Sequence, residues 1–500
     1  MTAHIFSATS LGFEGKLISV ECDASNGLPS LLVVGLGGKA IDEARERVRS
    51  AIKNSNLTFP RKRITINLAP ANLPKTGTQF DLPIALGLLQ ISGQLRAVNF
   101  QDYLIVGELG LDGSVRPVRG VINYVQTALA HNINKIIIPS ANYEQASLVS
   151  GIELLPINTL GQLVAYFQDT LKLEVPPLAQ PNYKGYPVAT IDAIRGQDQA
   201  KRALLIAAAG HHNILFSGPP GAGKTMLAKT LPSLLPPPTM QEVIEITKLH
   251  NLAGEVEEAI VQNRPFRNPH HSASHIAIVG GGHHSRPGEI SLAHKGVLFL
   301  DELPEYSRQT LESLRQPLED KCIHIARAES RATYPADCML VATQNPCPCG
   351  YAGDSIKTCS CTLSQIMAYQ KRISGPLLDR IDLFVSLSQV EPEQLLRQSP
   401  EQTNDYQHLI KKARQLQALR FGDPTKTNAT LPSSKIGDVI ALSTEAQAFL
   451  NKAAKSLHLT ARSYFKTLKV ARTIADLEAS EQIECKHISE SMQYRYRNLQ

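Results

Sequence analysis

Apolar positions along this chain change their rhythm three times. Up to about residue 172, short β-like runs at 64–68, 104–107 and 135–138 are interspersed with helical patterns at 40–54 and 121–130. That mixture predicts an α/β or α+β domain over residues 1–172. Between 173 and 189 periodicity stops, and prolines and glycine mark a linker. Residues 190–390 return to strands alternating with helices, which predicts an α/β core. From 391 to 500 the pattern is helical, clearest over 446–456 and 464–479. The chain holds no internal repeat and no low-complexity tract.

Three textures over 500 residues agree with a prior of about 150 residues per domain. With 43% hydrophobic and 19% charged residues the composition is that of a globular protein. The longest apolar run, 82–91, is too short to span a bilayer. The first sixteen residues have neither the basic start nor the apolar core of a signal peptide. The expectation is a cytoplasmic protein with no membrane partner. A formal charge of +6 permits a nucleic-acid partner without arguing for one, so any such case rests on where the charges lie.

The chemistry concentrates at strand ends. Asn213-Ile214-Leu215-Phe216 is an apolar strand that runs into Ser217-Gly218-Pro219-Pro220-Gly221-Ala222-Gly223-Lys224-Thr225, and a helical pattern follows. This is G-x-x-x-x-G-K-[ST] between strand and helix, the context in which it binds phosphate. Glycines let backbone N–H groups converge on phosphate oxygens, and the helix N-terminus adds its dipole. Lys224 reaches the β- and γ-phosphates of ATP, and the Thr225 hydroxyl ligates Mg²⁺. A second apolar strand, Val297-Leu298-Phe299-Leu300, ends in Asp301-Glu302. Asp301 suits the Mg²⁺ shell and Glu302 suits polarisation of the attacking water. A third, Met339 to Thr343, ends at Gln344-Asn345-Pro346, where an amide can orient that water.

Here the chain resembles the AAA+ superfamily, whose sensor-1 position matches Asn345. Ile194 to Arg202 resembles the family segment that lies against adenine. Ser374-Gly375-Pro376-Leu377-Leu378-Asp379-Arg380-Ile381-Asp382 is similar to the segment that carries the arginine finger in magnesium-chelatase-type and replicative-helicase members. The resemblance implies that Arg380 acts in trans on a neighbour's ATP, and that Arg462 is a sensor-2 residue touching the γ-phosphate. By spacing alone both arginines read as surface ion-pair residues.

Between the first two strands lie Arg264-Pro265-Phe266-Arg267-Asn268-Pro269-His270-His271-Ser272 and, further on, His283-His284-Ser285-Arg286. Four histidines invite a metal reading, but they lack H-E-x-x-H spacing and an obvious acidic partner. A polar loop with local hydrogen bonds and a mobile cationic loop that meets DNA phosphates both remain open. In the magnesium-chelatase-like group this interval holds an insert that points into the ring's channel. A second hairpin falls near 321–331, with Lys321, Arg327 and Arg331. The candidate DNA contacts are therefore Arg264, Arg267, His270, His271, His283, His284, Arg286, Lys321 and Arg327.

Cys347-Pro348-Cys349 and Cys359-Ser360-Cys361 form two C-x-C pairs with nine residues between the inner cysteines. Four clustered thiols favour a tetrahedral Zn²⁺ site over disulfides in a cytoplasmic protein, with free buried thiols or an iron–sulfur cluster as alternatives. Cys22, Cys322, Cys338 and Cys485 are scattered and read as packing residues.

The order of segments in the first region (74–83, 107–113, 115–122 and 135–139) resembles the proteolytic domain of Lon proteases, of the ribosomal-protein-S5-like fold. On that pattern the nucleophilic serine falls at Gln79 and the lysine base at Ile122. Neither side chain can do that chemistry, so the expectation is no peptidase activity. Taken together, the chain is identified as a member of the YifB/ComM family of magnesium-chelatase-like proteins, most specifically over 69–75, 264–272, 288–302 and 345–351. The resemblance implies a Lon-like N-terminal domain, an AAA+ core over 190–390 with the cysteine insert at 347–361, and a helical lid over 391–500. It also implies a hexameric ATP-dependent helicase that promotes branch migration of DNA during natural transformation. The alternative is a chelatase-type motor subunit that acts on a protein or porphyrin partner.

Overall fold

The computed structural model describes residues 2–35, 39–75, 77–95, 98–177, 191–255, 259–282, 285–326, 331–354, 356–390 and 406–496. These form two compact units. The first takes in the N-terminal residues with the described parts of Thr239–Gln262 and Ala326–Thr333. The second holds the remainder, including the C-terminal helices.

The first unit is built on strands β1 (Thr2–Leu11), β2 (Glu14–Ser25), β3 (Ser30–Val34), β4 (Arg63–Ala69), β5 (Tyr103–Ile105), β8 (Lys135–Pro139) and β9 (Glu153–Ile157), with a small hairpin β6 (Glu108–Leu109) and β7 (Val115–Arg116). The seven strands form one sheet in the order β3-β4-β2-β1-β5-β8-β9. β1 pairs β2 and β2 pairs β4 antiparallel, whereas the other pairings are parallel. β4 shows why alternation works: Ile64, Ile66 and Leu68 all enter the core, because successive strand residues face opposite sides. The helix Asp81–Ile91 is the apolar run noted above, buried at all but one of its positions. It is apolar all round because it is the central helix of this core. Strands β4, β5 and β8 and the helices Lys39–Asn54 and Val121–Ala130 lie within a few residues of the expected positions. The long β1–β2 hairpin was not among the expectations, since Glu14, Lys16, Glu21 and Asp23 interrupt its apolar pattern.

One segment of the expected nucleotide core packs with this first unit. The helix Met240–Ala253 opens with a capping box between Thr239 and Glu242. Its Asn251 accepts a hydrogen bond from Gly120 N and donates to Gln145 Oε1 at 3.0 Å. Its Lys248 donates to Gln126 Oε1 at 2.8 Å, with the ammonium 4.0 Å from the Phe13 ring centroid. Burial lowers the Lys248 pKa to about 8, and Glu14 and Glu245 oppose the shift.

The second unit centres on an all-parallel sheet in the order β11-β14-β17-β10-β18: β10 (Ile214–Ser217), β11 (Phe266–Arg267), β14 (Val297–Leu300), β17 (Met339–Gln344) and β18 (Leu383–Ser386). A short hairpin, β12 (Gly280–Gly281) with β13 (Arg286–Pro287), projects from a connection, and β15 (Cys322–Ala326) pairs with β16 (Arg331–Pro335), of which Ala326 and Arg331–Thr333 belong to the first unit. β14 is buried at every position, as a strand covered on both faces must be. After β10 the chain crosses to the far edge, returns through β14 and β17, and finishes on the other side at β18. β10 is therefore the switch point, and the crevice at its carboxyl end is where α/β sheets bind ligands. The helices Tyr406–Phe421, Thr444–Ser456, Ala461–Leu477 and Cys485–Gln493 belong to the same unit; the second covers the pattern read at 446–456 and the third all but the last two residues of that read at 464–479.

Candidate nucleotide site and metal centre

Residues at three strand ends converge on the crevice. Gly221 and Gly223 adopt φ of +80° and +83°, and Gly223 N-caps the helix Lys224–Leu234. Nothing lies within 4 Å of a Cβ built at either glycine, so the loop needs them for backbone conformation and leaves their outer side open to phosphate. Lys224 Nζ donates to the carbonyl oxygens of Gly218 (2.6 Å) and Pro219 (2.9 Å) and to Asn345 Oδ1 (2.9 Å). Burial lowers its pKa, while Asp301 and Glu302 favour its charge.

Thr225 Oγ1 donates to Asp301 Oδ2 at 3.2 Å, which sets two hard oxygen donors side by side at the start of the helix. Hard oxygens are what Mg²⁺ accepts, so this pair fits the ion. Thr343 orients both acids: its hydroxyl donates to Asp301 Oδ1 and accepts from Glu302 N at 2.9 Å. Glu302 sits in the left-handed region at φ +52°, exposed at the mouth of the crevice. Thr343 was not singled out from the sequence. Its signal was a hydroxyl in an otherwise apolar strand, at the level of the two acids on the neighbouring strand.

Arg380 and Arg462 lie apart from this cluster. Arg380 ion-pairs with Glu319 and donates to Pro376 O at 2.9 Å, with its side chain 12% exposed. Arg462 is exposed on the first turn of the helix Ala461–Leu477. The charges of both arginines bear on Lys466.

The candidate DNA contacts separate into two groups. Arg264 donates to Pro236 O and Lys295 O, Arg267 grips Glu289 at 2.6 and 2.7 Å, and Lys321 lies 3.4 Å from Asp337. These three cations therefore have internal partners. Burial opposes the charge of Asp337, yet His211, Lys321 and Lys295 together hold its carboxyl below the usual range. The His270 and His271 rings lie tilted against each other at 4.1 Å, and His270 Nδ1 pairs with Ser272 Oγ in a local turn. Arg286 is exposed on β13. His283, His284 and Arg327 lie outside the described residues.

The four cysteines come together: their Sγ atoms all lie within 4.8 Å of one another, the one such group of metal-ligating side chains among the described residues. Cys347 Sγ is 3.3 Å from Cys349 and 3.6 Å from Cys359, near the edge of about 3.8 Å expected for sulfurs around Zn²⁺ at 2.3 Å. Backbone N–H groups of Tyr351 and Ser360 hold the Cys349 thiol down to about 5. The Cys361 N–H favours the Cys359 thiolate too, but burial and the neighbouring thiols push Cys359 up to about 12. Four sulfurs at this spacing form a donor set that fits zinc, which would bind them as thiolates. The cluster begins two residues after Asn345, and Gly350 packs so tightly on Pro220 of the phosphate loop that a Cβ there would lie 2.7 Å from its ring. Of the scattered cysteines, Cys22 and Cys338 are buried and Cys322 and Cys485 half-buried.

In the first unit, Gln79 is 4% and Ile122 1% exposed.

Family models match along most of the chain: magnesium chelatase subunit ChlI over 190–395, subunit ChlI of Mg-chelatase over 20–142, and the ChlI C-terminal model over 400–495. Competence protein ComM of Haemophilus influenzae is 44% identical over 99% of this chain and 97% of its own length. The uncharacterized protein YifB of Salmonella typhimurium is 42% identical over 99% and 97%. The uncharacterized protein Rv2897c of Mycobacterium tuberculosis is 38% identical over 94% of each chain.

Proposed function

The chain belongs to the YifB/ComM family of magnesium-chelatase-like AAA+ proteins, and on that premise we propose that it is an ATP-driven DNA translocase, assembled as a hexamer of identical subunits in the cytoplasm and promoting branch migration during natural transformation. The observation that carries the reading is an intact hydrolytic cluster in a chain that matches a relative named competence protein ComM from end to end. ATP entering the crevice offers Lys224 phosphate oxygens in place of the carbonyls of Gly218 and Pro219. An anion is the better partner for a half-buried ammonium. Thr225 and Asp301 would hold Mg²⁺, which would supply charge neutralisation to the phosphates. Glu302 polarises the attacking water, and Asn345 orients it while bridging to Lys224.

Arg380 and Arg462 both bear on Lys466, and Arg380 pairs with Glu319 and Pro376 O. Arg380 acts in trans on the γ-phosphate of the next subunit's ATP, which a ring of identical subunits brings to it, and Arg462 touches the γ-phosphate as a sensor-2 residue. The N-terminal domain is Lon-like and has no peptidase activity. Phosphates of DNA meet the β12–β13 hairpin at Arg286, a contact that tracks backbone without reading bases. Cys347, Cys349, Cys359 and Cys361, beside the phosphate loop, would hold a structural Zn²⁺.

The test is the ATPase rate with and without single-stranded, double-stranded and branched DNA, joined to a branch-migration assay on wild type and Lys224→Ala. DNA stimulation and loss of branch migration in the variant are expected; equal branch migration in both sinks the reading. The chelatase-type description of the matching family models favours a second reading, a motor that drives a protein or porphyrin partner. An ATPase indifferent to every DNA form would favour it.

A further inference from the structure

The turn that carries Arg380 is held by its backbone, residue by residue. Asn213 Nδ2 donates to Arg380 O at 2.8 Å. Lys466 Nζ donates to Ile381 O at 2.6 Å. Asp382 Oδ2 accepts from Asn213 N at 3.1 Å and lies 3.4 Å from His212 Nδ1. Asn213 O in turn accepts from Asp382 N and Leu383 N at 2.9 and 3.0 Å. The same Asn213 presents Oδ1 to Leu340 N at 2.8 Å. Leu340 lies in β17, which runs up to the residue before Asn345, and Asn213 immediately precedes β10, which leads into the phosphate loop.

Asn213 is buried, and every polar group it has is engaged: backbone N–H and C=O, side-chain oxygen and side-chain amide. A buried amide with all its bonds made fixes three chain segments relative to one another, because breaking any bond leaves a polar atom unpaired in the core. The three segments are the phosphate-loop strand, the sensor-1 strand and the arginine-finger turn. Lys466 adds a fourth, since it lies on the helix that opens with Ala461-Arg462.

We propose that Asn213 and Lys466 are positioning residues for the arginine finger, tying the backbone of Arg380 to the strands of the chain's own nucleotide site and to the helix of Arg462. The inference rests on the reading of Arg380 as a finger acting in trans. On this reading the clamp links two sites: nucleotide state at the site a subunit owns is felt in the arginine it offers its neighbour. The Arg380 side chain swings free of Glu319 to reach that neighbour while its backbone stays clamped. A misplaced finger lowers turnover without altering nucleotide binding in the same chain.

Mixed rings separate this from a general structural role. Full-length Asn213→Ala and Lys466→Met are each expected to lose about 100-fold in ATPase kcat, the cost of a misplaced catalytic group, while binding a fluorescent ATP analogue as wild type does. Lys466→Arg, which keeps a donor, is expected to retain most activity. Each variant is then mixed with Glu302→Gln chains, whose own sites are dead and whose fingers are intact. Under the proposal the mixture is several-fold more active than the sum of its parts, because the Glu302→Gln subunit supplies a well-placed finger. Lys466→Met lies on a different element, so recovery with it supports the clamp even where Asn213→Ala fails to fold. The control mixture is Arg380→Ala with Glu302→Gln. Recovery in the control with none in either test mixture overturns the positioning role. No recovery in the control removes the trans finger itself, and this inference with it.

Discussion

Gln79 and Ile122 in the first unit stand where a resemblance to Lon proteases would put a nucleophile and a base, and Lys224 and Glu302 in the second stand where the phosphate-loop pattern would put reactive groups. In the second unit the polar groups converge on a crevice that opens outward: Glu302 is exposed, Lys224 is half-buried, and two phosphate-loop glycines have nothing over them. In the first unit both positions are closed into the interior, at 4% and 1% exposure. A serine at 79 and a lysine at 122 would have to reach a substrate from inside a packed core. The contrast teaches that similar α/β layering can leave a set of polar groups open to a ligand in one region and pack the matching positions into a core in another. The first unit keeps its strands and central helix because they are its core, and packing constrains them whether or not any chemistry is done.

The sharpest way to break the contrast is to disable the second unit from a distance. Arg380→Ala should lower kcat by about 10³-fold with nucleotide affinity nearly unchanged, as measured by steady-state ATPase and analogue titration. An equal loss of binding and turnover would put Arg380 in its own chain's site. Glu302→Gln should lower kcat by about 100-fold while leaving ATP bound, since it removes a water-polarising base without disturbing Lys224 or Thr225. Metal removal comes next. Chelation, or Cys359→Ser, should release about one zinc per chain, lower the Tm by about 5 °C and reduce ATPase, because the cysteine loop braces Pro220 and follows directly on Asn345. A chelated protein with unchanged Tm and rate would show the loop to be an ornament of the site.

The smallest effects belong to the first unit. Ile122→Val should cost about 1 kcal/mol of stability in a denaturant titration and leave ATPase unchanged, as a core residue does. Wild type should not degrade casein with or without ATP. Cleavage that depends on Lys224 would erase the difference between the two units altogether.

Legibility followed sequence distance. The phosphate loop, the Asp301–Glu302 strand and the cysteine pairs were readable because each is a local pattern with a local physical reason: a turn needing left-handed glycines, an apolar strand ending in acids, thiols spaced for one cation. The helix Asp81–Ile91 was legible as apolar and too short for a membrane, but not as the centre of a core, because an all-apolar pattern carries no face. The β1–β2 hairpin escaped because its outward residues are charged and its pairing is what makes it a strand pair.

The sequence by itself determined the chemical parts of the candidate nucleotide site and the order in which they come, since each is set by neighbours along the chain. Only the tertiary structure decided which parts meet. It places the helix Met240–Ala253 with the first unit, gives Arg264, Arg267 and Lys321 internal partners while leaving Arg286 exposed, and makes Thr343 the hinge between two acids and Asn213 the junction of three strands' ends. The reason is physical. Burial and hydrogen-bond partnership are properties of residues far apart in sequence, and a lone asparagine or threonine at a strand end announces neither until the fold has closed around it.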